Sequence, residues 1–291
     1  MKRYLTLFYV LLLVLLSACN GKSSQKEENK RLIMVTMEPQ RYFTEAIAGD
    51  KFLVESMVPK GSSPETYDPT PQQLTRLSKS EAYLRIGHIG FEQSWMDRLT
   101  DNAPHMQIFD TSKGVELIHG EGHNHGDHFH AGGVDPHIWN SISNARIIAK
   151  NTFQALITLD KTNENYYLHR YDSLCKVINR TDSVINNIFQ TRKADHAFMI
   201  YHPVLSYFAR DYGLHQICIE EEGKEPSPAH LRDLIEICKE EEVRIIFVQP
   251  EFDRRNAEII AKQTNTNIVD VNPLSYNWEK EMIHIANSLC K

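Results

Sequence analysis

Short apolar runs alternate with helical patterns along most of the chain after residue 31. The runs that predict strands are residues 32–35, 52–58, 82–86 and 107–109 in the first half, and 197–201, 216–219, 244–249 and 267–271 in the second. Strands that alternate with helices are typical of parallel βαβ units. The pattern therefore predicts an α/β fold with two similar lobes, each built on a parallel four-stranded sheet.

A different pattern separates the two halves. Residues 141–192 carry apolar positions at helical spacing, and only residues 160–164 interrupt them. Neither glycine nor proline occurs from residue 163 to residue 192, and a helix of that length would run about 45 Å, which exceeds one small lobe. We expect one long rigid helix over 163–192 that joins lobes at 32–162 and 193–291, with two packed helices as the alternative. Strand ends of two lobes would place a ligand site in the cleft between them.

The N-terminus has the pattern of a secretion signal. Two basic residues precede an apolar stretch over residues 5–16, and Leu-Ser-Ala then leads directly into Cys19. The stretch is shorter than the roughly 20 residues that a spanning helix needs, and small residues mark a cleavage site. The segment resembles the bacterial lipobox, in which the cysteine is acylated and becomes the mature N-terminus. We expect removal of residues 1–18 and lipidation of Cys19, with a plain signal peptide as the alternative.

Polar residues follow the expected anchor. Residues 21–31 carry no hydrophobic side chain, which predicts a flexible tether over 19–31. Such a lipoprotein would reside in the cell envelope, on the periplasmic or extracytoplasmic face of a membrane. The net charge is −6 and no basic patch occurs, so nucleic acid is not an expected partner.

Four cysteines remain once Cys19 is set aside, at positions 175, 218, 238 and 290. An exported protein can form disulfides. A bridge from Cys290 would attach the final helix to its lobe, and Cys238 is the expected partner because it also lies on a helix of the C-terminal half. Free buried thiols are the alternative, since sequence does not fix connectivity.

The segment over residues 119–130 is dense in histidine, with five histidines, two acids and three glycines. The histidines are His119, His123, His125, His128 and His130. Neutral imidazole is a good ligand for zinc and copper, and glycine lets the rings converge. We expect this loop to bind metal weakly, with a solvated polar loop as the alternative.

Three further donors lie where a strand or loop meets a helix. His137 stands in the sequence Asp-Pro-His-Ile-Trp before a long helix, His202 follows the strand at 197–201, and Glu65 lies in a turn-rich loop. Each alone has an ordinary structural explanation. Their common placement after strands of two lobes predicts that they converge on one metal ion.

These motifs occur in an order that resembles a known family. The order is Gly61-x-x-Pro64-Glu65-x-Tyr67-x-Pro69-x-Pro71, the histidine-rich loop, Asp135-Pro136-His137-x-Trp139 and His202-Pro203. The chain resembles the zinc and manganese solute-binding proteins of bacterial ABC importers over almost everything after the tether. The resemblance implies two α/β lobes joined by one long helix, metal in the cleft, and His137 and His202 as ligands.

The chain departs from that family at two ligand positions. The family usually has histidine where Glu65 stands, although a carboxylate also binds zinc, at roughly 2.0–2.2 Å. The last family ligand is an acid near the final strand, and this chain has Asn272 there. Asp270 lies two residues earlier, on the same face of the strand, and is the expected substitute. Asn272, Glu251 or water remain the alternatives.

The donor set bears on the choice of metal. Two imidazoles with one or two carboxylates suit manganese better than three imidazoles would, whereas the histidine-rich loop and Cys290 favour zinc. We expect a monomeric receptor that captures zinc with high affinity and delivers it to the permease of an ABC importer. A manganese receptor is the alternative within the family, and a metal-buffering or adhesion lipoprotein is the alternative outside import.

An enzymatic role is not expected. A zinc hydrolase needs an open water position and a base beside the metal. The chain contains neither His-Glu-x-x-His nor Gly-x-Ser-x-Gly, which are the motifs of common hydrolases.

Overall fold

The computed structural model describes residues 30–120, 123–125, 128–130, 133–221 and 223–290, and at 123–125 and 128–130 it describes the backbone alone. The expected signal peptide, Cys19 and most of the tether lie outside these ranges. Within them, no helix is both long enough and apolar enough to cross a membrane.

The N-terminal lobe is built on a parallel sheet of four strands in the order β2-β1-β3-β4. The strands are β1 (Arg31–Val35), β2 (Phe52–Ser56), β3 (Ala82–Arg85) and β4 (Gln107–Asp110), and the helices are α1 (Glu38–Ala48), α2 (Pro71–Leu77) and α3 (Gly90–Asn102). α1 ends before Gly49, whose φ of 60° lies in the left-handed region that favours glycine. β1 is central and buries both faces, because Ile33 and Leu32 enter hydrophobic clusters on opposite sides.

Two long helices follow a short hairpin. The hairpin pairs β5 (His123–His125) with antiparallel β6 (His128–His130), where the sequence predicts a loop. α4 (Ile142–Leu159) comes next, and after a short 3₁₀ turn α5 runs over Glu164–Thr191. The expected long helix over 163–192 is therefore present as one helix of 28 residues.

The C-terminal lobe repeats the topology of the first. Its strands are β7 (Ala197–Ile200), β8 (His215–Cys218), β9 (Ile245–Val248) and β10 (Asn267–Asp270), and its helices are α6 (Ser206–Tyr212), α7 (Pro228–Glu240), α8 (Arg255–Thr264) and α9 (Trp278–Ser288). The sheet order is β10-β9-β7-β8, all parallel. Counted along the chain, both sheets place their strands in the order 2-1-3-4, so the expected α/β fold of two similar lobes is confirmed.

One hydrophobic core runs through both lobes. It joins Leu84 of the first sheet, Ile178 of α5 and Phe247 of the second sheet in a single cluster. α5 packs against α4, α1 and α9, so it contacts elements of both lobes. Buried hydrogen bonds add to this, since the Trp278 indole N–H donates to the Trp139 carbonyl over 2.8 Å.

The expected disulfide between Cys238 and Cys290 does not form, and both thiols are free. Cys238 of α7 is buried in a cluster on one face of the C-terminal sheet. Cys290 follows α9 and packs against the interlobe core on the other face. The sheet separates the two sulfurs. The prediction was wrong because the pattern of a helix does not tell which face of the sheet it covers.

We expect both thiols to react with an alkylating agent when the unacylated mature chain is denatured without a reductant. Peptide mass spectrometry would read the labels on Cys238 and Cys290, and a reduced sample is the control for full labelling. A peptide pair joined through these two cysteines would contradict the free-thiol arrangement.

Candidate metal centre

His137 is held between β6 and α4 by the aspartate two residues before it. Its side chain is buried, with 5% of the residue exposed. The Asp135 carboxylate accepts from the His137 backbone N–H and lies 2.9 Å from ring Nδ1. Burial alone would raise the pKa of Asp135, but hydrogen bonds from His137 and Ser206 outweigh it, and the pKa lies below its ordinary value. An ionised Asp135 keeps the proton on Nδ1 and leaves Nε2 free.

His202 follows β7 and has a carboxylate partner of its own. Glu220, just after β8, places Oε1 2.7 Å from His202 Nδ1. The imidazole stacks on Phe252, with ring centroids 5.2 Å apart, and the Gln249 side chain donates to the His202 carbonyl. These contacts fix the ring and favour the tautomer that has its lone pair on Nε2.

The two free nitrogens face each other. Nε2 of His137 lies 3.3 Å from Nε2 of His202, and the ring planes cross at 81°. Because each ring donates from Nδ1 to a carboxylate, a hydrogen bond between the Nε2 atoms would need an imidazolium. As neutral rings they direct two lone pairs at each other, which is unfavourable. A cation bound to both nitrogens would remove that repulsion.

Glu65 supplies a third donor from the loop between β2 and α2. Its Oε1 lies 3.7 Å from His137 Nε2, and this oxygen is buried without a hydrogen-bond partner among the described atoms. The other oxygen, Oε2, accepts from the Gly90 backbone N–H over 3.0 Å. One donor atom each from Glu65, His137 and His202 lies within 4.8 Å of the other two. A buried, unpartnered carboxylate oxygen beside two imidazole lone pairs suits a divalent cation.

The three donors face a narrow cleft between the lobes. The other residues that line it are Ser63, Pro64, Trp139, Val204, Gln249, Glu251, Phe252, Pro273 and Leu274. Most of these side chains are apolar, so the cleft lowers the local dielectric and strengthens the attraction between a cation and its carboxylate ligands.

Comparison with known proteins assigns the chain to a family. A family model described as ZnuA, zinc-uptake complex component A, periplasmic, matches residues 33–289. The chain belongs to this family. Its members are solute-binding proteins of ABC transporters and not enzymes, which confirms both the resemblance in the motifs and the expectation of no enzymatic activity.

Individual members of the family match over nearly the whole chain. FimA of Streptococcus parasanguinis, a metal ABC transporter substrate-binding lipoprotein, is 30% identical over 276 residues, which are 91% of this chain and 86% of FimA. The manganese ABC transporter substrate-binding lipoprotein PsaA of Streptococcus pneumoniae is 29% identical over 273 residues, with the same two coverages of 91% and 86%.

Solved structures show the same fold. A crystal structure of ZnuA is 33% identical, with a TM-score of 0.82 over 89% of this chain and 98% of that chain. A manganese-bound periplasmic metal-binding protein from Candidatus Liberibacter asiaticus shares the fold at 20% identity, with a TM-score of 0.76 over 89% of this chain and all of that chain.

Asp270, the expected fourth ligand in this family member, lies outside the cluster. Its side chain is 74% exposed, and its carboxylate contacts Arg254 over 3.3 Å. Val271 between Asp270 and Asn272 is buried, whereas both neighbours are exposed. Asp270 and Asn272 do share a face, as alternation along the strand requires. At the edge strand β10, however, that face is turned to solvent.

Glu251 carries the second carboxylate among the described residues that line the cleft. It follows β9, next to the Phe252 ring that stacks on His202. Burial raises the pKa of its carboxyl, while a backbone hydrogen bond and His202 act in the opposite direction. Of the alternatives that the sequence leaves open, the structure brings this one to the cleft.

The histidine-rich loop contributes no described side chain to the cluster. His119 forms an isolated backbone bridge with Val134, and the side chains of the other four histidines lie outside the described part of the chain. Weak metal binding by the loop stays a prediction.

Three carboxylates that support the cluster were not among the residues expected from sequence. Asp135 and Glu220 orient the imidazoles, and the only sequence signal is that Asp135 precedes His137 by two residues. Glu92 is buried in the first turn of α3, where it accepts from the backbone N–H groups of Ile86 and Gly87 and from Thr36. Burial raises the pKa of Glu92 to about 7, against the effect of those hydrogen bonds.

We expect Glu220→Gln to weaken metal binding about 10- to 100-fold, the usual cost of losing a carboxylate behind a histidine ligand. The amide can present N–H to Nδ1 and so favour the tautomer with a proton on the metal-facing nitrogen. Competition with a chelating dye would measure the affinity, and Glu221→Gln, a change at the exposed neighbour, is the matched control. Equal affinities for the two variants would contradict the role given to Glu220.

Proposed function

We propose that this chain captures one zinc ion in the interlobe cleft and delivers it to the permease of an ABC importer. Glu65, His137 and His202 are the proposed ligands. The observation that carries the proposal is the pair of opposed Nε2 atoms, 3.3 Å apart, beside a carboxylate oxygen that has no hydrogen-bond partner among the described residues.

The geometry of the imidazole pair favours zinc. Tetrahedral zinc with Zn–N bonds of about 2.0–2.1 Å separates its ligand nitrogens by about 3.3–3.4 Å, and the Nε2 atoms are 3.3 Å apart. Zinc accepts mixed imidazole and carboxylate donors, whereas manganese prefers octahedral oxygen-rich sites. A zinc-bound ZnuA deletion mutant that is 33% identical, with a TM-score of 0.81, supports the same choice.

Manganese is the second candidate. The related PsaA of Streptococcus pneumoniae is named for manganese transport at 29% identity. Glu65 adds an oxygen donor where the resembling family usually has a nitrogen, which moves the donor set toward manganese. The choice between the two metals therefore depends on how many ligands surround the ion.

Glu251 is the proposed fourth ligand. It lines the same cleft as the three converging donors, and a second carboxylate would make a site of two imidazoles neutral around a divalent ion. A water molecule is the alternative in that position, as at zinc sites with three protein ligands.

Anchoring at Cys19 and the transporter partner complete the proposal. The matched relatives are named as lipoproteins of metal ABC transporters, and Cys19 stands at the position where a lipobox is acylated. A monomer held at the extracytoplasmic face by residues 19–31 would reach the permease through its tether.

We expect the metal-free mature chain to bind one zinc ion tightly in isothermal titration, and manganese more weakly. Replacing all five loop histidines by alanine removes the weak background sites. In that background, Glu65→Ala, His137→Ala and His202→Ala should each weaken zinc binding at least about tenfold, or about 1.4 kcal/mol. Exposed His169 serves as the control for loss of an unrelated imidazole. A tight site that survives all three ligand changes together would refute the assignment.

We expect Glu251→Gln to weaken zinc binding about tenfold or more, because it removes a charge next to the ion while keeping the shape of the side chain. Asp270→Asn makes the same change on the exposed edge strand and should leave the affinity unchanged. Chelator competition on both variants decides between the two acids. A loss confined to Asp270→Asn would restore the ligand first expected from sequence.

A further inference from the structure

Glu65 is hydrogen-bonded to the N-terminal end of helix α3. Its Oε2 accepts from the Gly90 backbone N–H, and the Pro64 carbonyl accepts from the Phe91 backbone N–H over 2.9 Å. The first N–H groups of a helix have no partner within the helix, and Ile89 at the N-cap gives no side-chain hydrogen bond. The segment Pro64–Glu65 therefore caps α3.

The approach of Glu65 requires glycine at position 90. A Cβ atom there would lie 2.4 Å from the Glu65 carbonyl oxygen and 2.8 Å from Glu65 Oε2. The φ of Gly90 is outside the left-handed region, so its backbone conformation does not call for glycine. Close contact with Glu65 is the physical reason for the missing side chain.

The first turn of α3 is also held in place by hydrogen bonds to the loop before it. Glu92, two residues into the helix, binds the Ile86 and Gly87 N–H groups over 2.8 and 2.7 Å. This ties the first turn of α3 to the carboxyl end of β3. The Gly90 N–H that holds Oε2 is therefore a fixed point of the N-terminal lobe.

The two oxygens of Glu65 thus have different surroundings. Oε2 is committed to the helix N-terminus, whose partial positive charge favours a carboxylate. Oε1 is buried, has no hydrogen-bond partner in the part of the chain that the structure describes, and lies on the side of the imidazoles. A carboxylate held in this way presents Oε1 to a metal in the cleft, while a second bond to the metal through Oε2 would compete with the contact to Gly90.

We infer that Gly90 is a specificity-determining residue, because it makes Glu65 a one-oxygen ligand and so limits the coordination number to one that favours zinc over manganese. The inference rests on the proposed function of the cleft. Four single donors form the tetrahedral shell that is usual for zinc. Manganese prefers octahedral surroundings, toward which a two-oxygen carboxylate would move the site.

The direct test is Gly90→Ala in the unacylated mature chain, with Gly133→Ala as the matched control. A Cβ at Gly133 meets no described atom within 4 Å. We expect Gly90→Ala to lower zinc affinity about 10- to 100-fold, as for loss of a partner behind a ligand, and to lower manganese affinity less. The ratio of the two affinities, measured by chelator competition, should fall, and it should stay at the wild-type value in Gly133→Ala.

Cobalt(II) adds a readout that a purely structural role would not change. Four-coordinate cobalt absorbs visible light strongly, and higher coordination numbers absorb weakly. We expect strong absorption from the wild type and from Gly133→Ala, and weaker absorption from folded Gly90→Ala. An unchanged metal ratio with an unchanged cobalt spectrum in the folded variant would overturn the inference.

A measurement on the wild type covers the case in which Gly90→Ala does not fold. Hydrogen exchange should show the Gly90 amide protected both without metal and with zinc. Loss of that protection on zinc binding would mean that Oε2 leaves the helix for the metal, and would overturn the inference. Failure of the proposed function gives a different result, since Glu65→Ala would then bind zinc as tightly as the wild type.

Discussion

The packing that joins the two lobes determines where the imidazoles can be. His137 precedes α4 and belongs by sequence to the first lobe, yet its segment is bonded to the second. The Tyr207 hydroxyl donates to the Asp135 carbonyl over 2.7 Å, and the Asn140 amide donates to the Val204 carbonyl over 2.9 Å. His137 and His202 are thus held against each other within one packed unit, and the facing lone pairs cannot relax apart without breaking buried hydrogen bonds.

Glu65 reaches this imidazole pair from a different support. Its loop is bonded to α3, which the Glu92 carboxylate ties to the first sheet. The candidate centre therefore combines two neutral donors held by contacts between the lobes with a charged donor held by the N-terminal lobe. Because the attraction between a cation and a carboxylate is strong in an apolar cleft, the negative oxygen would hold a bound cation more strongly than either neutral imidazole.

Sequence patterns predicted the fold more fully than the site. Continuous apolar runs identify strands buried on both faces, and an uninterrupted helical pattern identified α5. His137 and His202 were expected from their motifs, His137 before a long helix and His202 after a strand of the second sheet. The pattern could not tell which face of a sheet an element occupies, and this accounts for the errors at Asp270 and at Cys238 with Cys290. Asp135 and Glu220 act through contacts across space that spacing along the chain does not encode.

Glu65 itself shows why a departure from a family pattern can be consistent with its surroundings. The Gly90 N–H at the start of α3 needs an acceptor, and the proposed metal ion would need a donor from the same side chain. A carboxylate meets both needs with separate oxygens. An imidazole in this position would have to accept from Gly90 with one nitrogen and bind the metal with the other, which leaves no place for its proton. Glutamate at position 65 and glycine at position 90 therefore depend on each other. The capping of α3 explains why a carboxylate stands at position 65.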